Sequence, residues 1–301
     1  MDAAISLRID VRVFCFDANV AVAATATTAI SSVPYAGRIV FVTAAADALS
    51  AADVAEALGG PADIALHELA GHFAGTERVV PVTNAVHALA VATSRRTGGG
   101  GGGASQTAPA IEFAPPTYAT LCLPVLYSAE DVAAAGGASI AHDDFALLAG
   151  AASLFPPITA AEGGPWSGDG WAGTPWQVAE MLKFADSPLP LLHHGVATFT
   201  ATRVTRFNAV ACRVALFAGE TAPGRPQYSL LGAASVDSNW QIVLLQLRSV
   251  VVVDAAAQVV VRSTCDYADI HPRYTFRIEL GSGELLRAIE IGNVHPRVFC
   301  V

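Results

Sequence analysis

The chain has 301 residues, of which 53% are hydrophobic and only 14% charged, with a formal net charge of −9; soluble proteins usually carry about 25% charged residues. The acidic balance excludes a broad nucleic-acid-binding face, which needs a basic patch to neutralise phosphates. The mean hydropathy of +0.46 raises the question of a membrane span, but the best candidate, QIVLLQLRSVVVVDAAAQVVV, is broken by Gln246, Arg248 and Asp254, where a spanning helix needs about 20 apolar residues in a row.

A chain this poor in charge has little with which to cover its outside. Large exposed apolar areas mark association surfaces, so the composition predicts self-association or partner subunits. A base-composition bias is the competing explanation, because Lys183 is the single lysine among 17 basic residues and Ala is in excess.

The N-terminus, MDAAISLRIDVRV, has no basic segment ahead of an apolar run and does not read as a signal peptide. SLRIDVRVFCF alternates, with Ile9, Val11 and Val13 on one face, and predicts a half-buried strand. VAVAATATTAI reads as a second strand and RIVFVTA as a third, so the chain is expected to begin as a meander. LSAADVAEALGG predicts a short helix, with Ser50 as N-cap and Gly59-Gly60 at its end. PADIALHELAGHF reads as a second helix opening at Pro61, and RVVPV and AVHALAVAT as strands.

Gly98 to Gly103 are six consecutive glycines, followed by ASQTAPA. No Lys-Ser/Thr follows, so the run is not a phosphate-binding loop. It predicts a linker over 98–110 between a domain at 1–97 and another at 111–301, or an expanded loop within one domain.

Beyond it, YATLCLPVLY predicts a strand, SAEDVAAAGG a capped helix and SIAHDDFALLAGAASLF a longer helix. TPWQVAEMLKFAD has the clearest helix start, with Thr174 as N-cap, Pro175 in the first turn and Gln177 completing a capping box. From Gly195 to Val301, eight segments from VATFTATRV to PRVFCV read as strands. SVVVVD, apolar on both faces, predicts a central strand covered on both sides. The fold class expected is α+β and β-rich: an antiparallel β-sandwich or jelly-roll-like core with several short helices.

Two stretches hold candidate site residues. PWSGDGWAGTPW spaces Trp166, Trp171 and Trp176 through a Gly-rich loop. Such rings serve as packing residues, as interface anchors or as a platform for sugars; packing or an interface anchor is expected here, with Trp166, Trp171 and Trp176 as the candidate interface residues.

HELAGH, residues 67–72, sets two histidines around a glutamate. The usual zinc helix holds histidines at i and i+4; here they stand at i and i+5, about 140° apart on a regular helix. This longer spacing resembles the HExxxH signature of the dipeptidyl peptidase III family. The resemblance implies that His67 and His72 bind zinc and that Glu68 is the general base on the metal's water. That family's third ligand comes from a later EExRA segment, which this chain lacks.

The five cysteines have no CxxC spacing and four sit in apolar strand patterns, so they predict buried free thiols, no resident cofactor and an intracellular, reducing compartment. With no convincing catalytic set, the leading expectation is a structural subunit of a large symmetric assembly, such as a viral capsid or shell component. The alternatives are a zinc hydrolase at His67/Glu68/His72 and a carbohydrate- or protein-binding module at the Trp loop.

Overall fold

The computed structural model describes residues 12–17, 19–34, 36–45, 48–60, 62–66, 71–76, 78–97, 111–141, 144–149, 170–172, 176–217, 241–269 and 271–292. The chain divides into two compact units. The first comprises Met1–Ala65 and Val82–Phe113; the second comprises Leu66–Pro81 and Ala114–Val301. The glycine run lies outside the described residues.

The first unit opens with β1 (Val13–Asp17), α1 (Val20–Ser31) and β2 (Ile39–Thr43). β1 and β2 pair in parallel, Val13 opposite Ile39 and Asp17 opposite Thr43. This is a βαβ unit, and it corrects the expected meander. VAVAATATTAI is a helix because local chemistry favours one. Asn19 Oδ1 accepts from Ala21 N at 2.9 Å and caps it, and five of the twelve residues are Ala, the best helix former. Thr25 and Thr28 turn their hydroxyls back to Ala21 O and Ala24 O, so these β-branched residues find partners within the helix.

α2 (Ala51–Leu58) follows as expected, with Ser50 Oγ accepting from Ala52 N and Gly59 closing it at φ +73°. That left-handed conformation is open to glycine without steric cost. β3 (Ile64–Leu66) occupies the stretch expected to be helical. α3 (Val79–Thr97) replaces the two strands expected there. Pro81 lies in its first turn, where a missing N–H leaves no hydrogen bond unmade. β4 (Glu112–Ala114) pairs with β3.

The second unit is built on antiparallel strands. Its first sheet holds β5 (Thr117–Val125), β6 (Ala138–Ala141), β7 (Phe145–Ala149), β8 (Gln177–Lys183), β10 (Thr205–Phe217) and β11 (Ile242–Val253), in the order β6-β7-β11-β10-β5-β8. The second holds β9 (Leu192–Thr200), β12 (Gln258–Asp266), β13 (Arg273–Leu280) and β14 (Leu285–Ile291), in the order β14-β13-β12-β9. α4 (Ala129–Ala134) is the expected capped helix, with Ser128 Oγ accepting from Asp131 N.

Two expected helices are strands here. In SIAHDDFALLAGAASLF the described residues other than Asp144 lie in β6 and β7, which pair with each other, and β7 pairs in turn with β11; His142, Asp143 and the residues from 150 on lie outside the described residues. TPWQVAEMLKFAD supplies β8, which pairs with β5 from Thr117↔Lys183 to Cys122↔Gln177. Thr174 and Pro175 lie outside the described residues. In both cases ladder partners distant in sequence override local helix preference.

The two sheets lie against each other. β8 meets β9 where Ser263 donates to Ala179 O. At this point Gly195 has no room for a side chain: a Cβ would stand 1.7 Å from Ala179 O and 2.6 Å from Ser263 Oγ. On the other side β11 contacts β14, and Arg287 of β14 pairs with Asp144 beside β7. Asn208, at the bulge between Phe207 and Ala209, carries the ladder on with its side chain. It accepts from Tyr127 N at 2.5 Å and donates to Tyr127 O at 3.0 Å.

The strand-rich, antiparallel character is therefore as expected. Its topology is not a jelly roll, since β12, β13 and β14 make a plain meander rather than paired Greek keys. SVVVV is also not covered on both sides: Val250 and Val252 are exposed.

Candidate functional site

One place has the chemistry to matter: a buried polar cluster in the second unit. The cluster centres on Glu180 of β8, an acid with 1% of its surface exposed. Thr120 of β5 donates to Oε2, and Tyr267, just past β12, donates to Oε1. Tyr274 of β13 donates to Oε1 at 3.2 Å. Burial pushes the Glu180 carboxyl up from its ordinary value, while the three hydroxyls pull it down. Burial beside Glu180 also pushes both tyrosines up, so they stay neutral donors.

The hydroxyls have a second task. Thr120 Oγ accepts from Ala74 N at 2.9 Å, and the Tyr274 hydroxyl accepts from Gly75 N at 3.1 Å. They thereby hold the segment Gly71–Thr76 in the unit's interior. Phe73 is fully buried and stacks on Tyr274 at 4.5 Å between ring centres. Thr76 closes the segment by donating to Phe73 O at 2.6 Å. Gly75 is required by space, since a Cβ there would lie 2.2 Å from the Tyr267 ring and 2.8 Å from Glu180 Oε1.

This segment is the end of HELAGH. His67 and Glu68 lie outside the described residues; His72 is partly buried, and desolvation lowers its pKa. Among the described residues no three His, Cys, Asp or Glu side chains gather as metal ligands. The stretch from His72 to Thr76 is a clamped loop. Glu180, Tyr267 and Tyr274 belong to no motif, and they come together through the pairing of sheets rather than through spacing in the chain.

The Trp residues turn inward. Trp171 is 6% exposed, donates from Nε1 to Pro124 O at 3.2 Å, and meets Phe199 and Phe207 edge-on. Trp176 is buried under the Arg213 guanidinium, 5.2 Å from its ring centre. Packing or an interface anchor is the role expected of these rings, and Trp171 and Trp176 pack inward; Trp166 lies outside the described residues. Arg213 is desolvated, and its pKa falls to about 10. Cys122, Cys212 and Cys265 are buried free thiols raised by desolvation. His193 and His194 project from β9 in alternation, and His194 Nδ1 lies 3.2 Å from Thr264 Oγ.

In the first unit, β1 ends at Asp17 and Asn19 caps α1. β2 ends at Thr43 and is followed by Ala44 and Ala45.

No protein-family profile matches the chain, and no curated protein does. Solved structures do match. The Trypanosoma brucei PRMT1 enzyme–prozyme heterotetrameric complex with AdoHcy is 9% identical, with a TM-score of 0.56, 97% of this chain and 84% of that one being covered. Arabidopsis thaliana protein arginine methyltransferase 10 is 7% identical, with a TM-score of 0.58 and coverage of 95% and 83%. PRMT6 is 11% identical, with a TM-score of 0.59 and coverage of 93% and 87%. At these identities the likeness is one of fold. It overturns the expectation of a capsid or shell subunit, because nearly the whole chain follows an arginine methyltransferase fold. No helix among the described residues is long and apolar enough to cross a membrane.

Proposed function

We propose that this chain works in protein arginine methylation, as a methyltransferase-fold subunit of a methyltransferase complex. The observation that carries this reading is the likeness to three arginine methyltransferase structures over 93–97% of the chain.

Membership of a complex has its own support. One of the three matched structures is a heterotetrameric enzyme–prozyme complex. In this chain α1 carries no charged residue, and Val20 and Val22 stand exposed on it. Val40 and Ile64 of the same unit are exposed as well. Accessible apolar surface of this kind favours association.

The test is reconstitution. The chain is mixed with a catalytically competent arginine methyltransferase from the same source, and methyl transfer from labelled S-adenosylmethionine to an arginine-rich peptide is followed beside light scattering. A co-eluting complex whose rate differs from the enzyme's own supports the reading. Separate elution and an unchanged rate defeat it.

A further inference from the structure

We infer that Arg213 forms a binding site for a small monocarboxylate, separate from the Glu180 cluster and independent of the function proposed above. Thr120 of β5 turns its hydroxyl to Glu180, and side chains alternate along a strand. Leu121 therefore faces the other way, and its register partners Arg213 of β10 and Val178 of β8 share that face. The guanidinium is set in an apolar bed. Arg213 is 5% exposed, and Ala119, Ala211 and Ala215 on the same face are buried. The Trp176 ring centre lies 5.2 Å from Arg213 Cζ.

This cation lacks a counter-charge. Among the described residues Arg213 forms no ion pair, and its Nε is buried without a hydrogen-bond partner. Burial alone lowers its pKa, to about 10. Arg287, with 13% of its side chain exposed, is the contrast: it has Asp144 as partner. Buried charges are ordinarily paired and hydrogen-bonded, so the Arg213 guanidinium is a place for an anion.

The surroundings select which anion. The indole takes one face of the guanidinium and leaves its N–H edge as the binding surface. A planar carboxylate meets that edge with two parallel hydrogen bonds and cancels one charge with one. A phosphate brings more charge and further oxygens, to which the flanking Ala119, Leu121, Ala211 and Ala215 side chains donate nothing. Solvent reaches this row of residues at its β8 end, where Val178 of the edge strand is 36% exposed.

The experiment is a titration of the purified full chain with sodium acetate, followed by calorimetry and by thermal unfolding, beside sodium chloride and sodium phosphate at equal ionic strength. One-to-one binding is expected, with the wild-type melting temperature raised by about 3–5 °C near saturation and a smaller response to phosphate. Arg213→Met removes a buried charge that has no partner; it is expected to melt at or above the wild type without acetate and to ignore acetate. Arg213→Lys keeps the charge without the planar fork and is expected to bind acetate at least about tenfold more weakly. If Arg213→Met does not fold, the wild-type calorimetry and Arg213→Lys decide. Chloride or phosphate matching acetate, or an acetate response that survives in Arg213→Met, overturns the site. So does a wild type with no saturable heat up to about 100 mM acetate, where a millimolar site would be filled.

Discussion

The Tyr267 hydroxyl donates to the Glu180 carboxyl in an interior where Glu180 is 1% exposed and Tyr267 likewise 1%. An unpaired buried polar group costs about 1–3 kcal/mol, and Glu180 is the shared acceptor of three. Glu180→Ala orphans Tyr267, Tyr274 and Thr120 together and is expected to destabilise the protein by about 4 kcal/mol or more. Glu180→Gln keeps one carbonyl acceptor and is expected to cost about half as much. Urea unfolding of the two variants beside the wild type measures both.

The same carboxyl gives a pH dependence. Its folded pKa lies above the ordinary value of 4.5, chiefly through burial. Between those two values the folded state binds the proton and the unfolded state has lost it. The contribution of Glu180 is therefore full below about 4.5 and is lost as pH rises through the folded pKa, at up to about 1.4 kcal/mol per pH unit. Glu180→Gln has nothing to ionise there. The gap between the variant and the wild type is expected to narrow as pH rises from 4.5, as followed by unfolding midpoints across a pH series. A gap that widens would show that the three hydroxyls outweigh desolvation.

Glycines at three positions are expected to respond in a graded way. Gly195→Ala puts a Cβ 1.7 Å from the backbone oxygen of Ala179, and only parting β8 from β9 relieves that. Gly75→Ala meets the Tyr267 ring at 2.2 Å, so the ring must leave Glu180. Gly283 has nothing within 4 Å but a φ of +89°. Expected losses are about 4 kcal/mol or more, about 3 kcal/mol and about 1 kcal/mol in that order, and a thermal melt of each variant establishes the ranking.

Where the determinants of structure are local, the sequence was legible. Ser50 with Gly59, and Ser128 ahead of Ala129–Ala134, announce two helices through residues a few positions apart. The alternation in Gln258–Asp266 and Arg273–Leu280 announces strands because one face of each is buried. Val20–Ser31 was illegible by composition, since Val and Thr favour strands until Asn19 and the alanines are weighed against them. Gln177–Lys183 was illegible for the opposite reason: a capping signal at Thr174 is local, whereas its pairing with Thr117–Cys122 is not. The Glu180 cluster draws on three strands, on Tyr267 just past a fourth and on a loop, so no spacing could reveal it. Its one trace in the sequence is a lone acid inside an apolar run, QVAEMLK.

Arg287 and Asp144 join β14 to the start of β7, with Arg287 13% and Asp144 43% exposed. Half-open ion pairs contribute about 1 kcal/mol or less. Asp144→Asn should therefore lower stability by about that much, with a loss that shrinks in high salt. A double-mutant cycle with Arg287→Met isolates the pair. A coupling insensitive to salt would mean that packing of the Arg287 stem, rather than charge, links these strands.

Trp171 tests whether the Gly-rich loop is anchored inward. Its indole bonds Pro124 O and touches Phe199 and Phe207, which lie in different sheets of the second unit. Trp171→Ala leaves an indole-sized cavity and an unpaired carbonyl, for an expected loss of about 4 kcal/mol. Trp171→Phe refills most of the volume without the donor, for a loss of about 1–2 kcal/mol. If the ring served a partner instead, both variants would unfold like the wild type and association alone would weaken. Denaturant titration run beside light scattering separates the two: an inward anchor moves the unfolding midpoint first, and any change in association is secondary to that loss of stability.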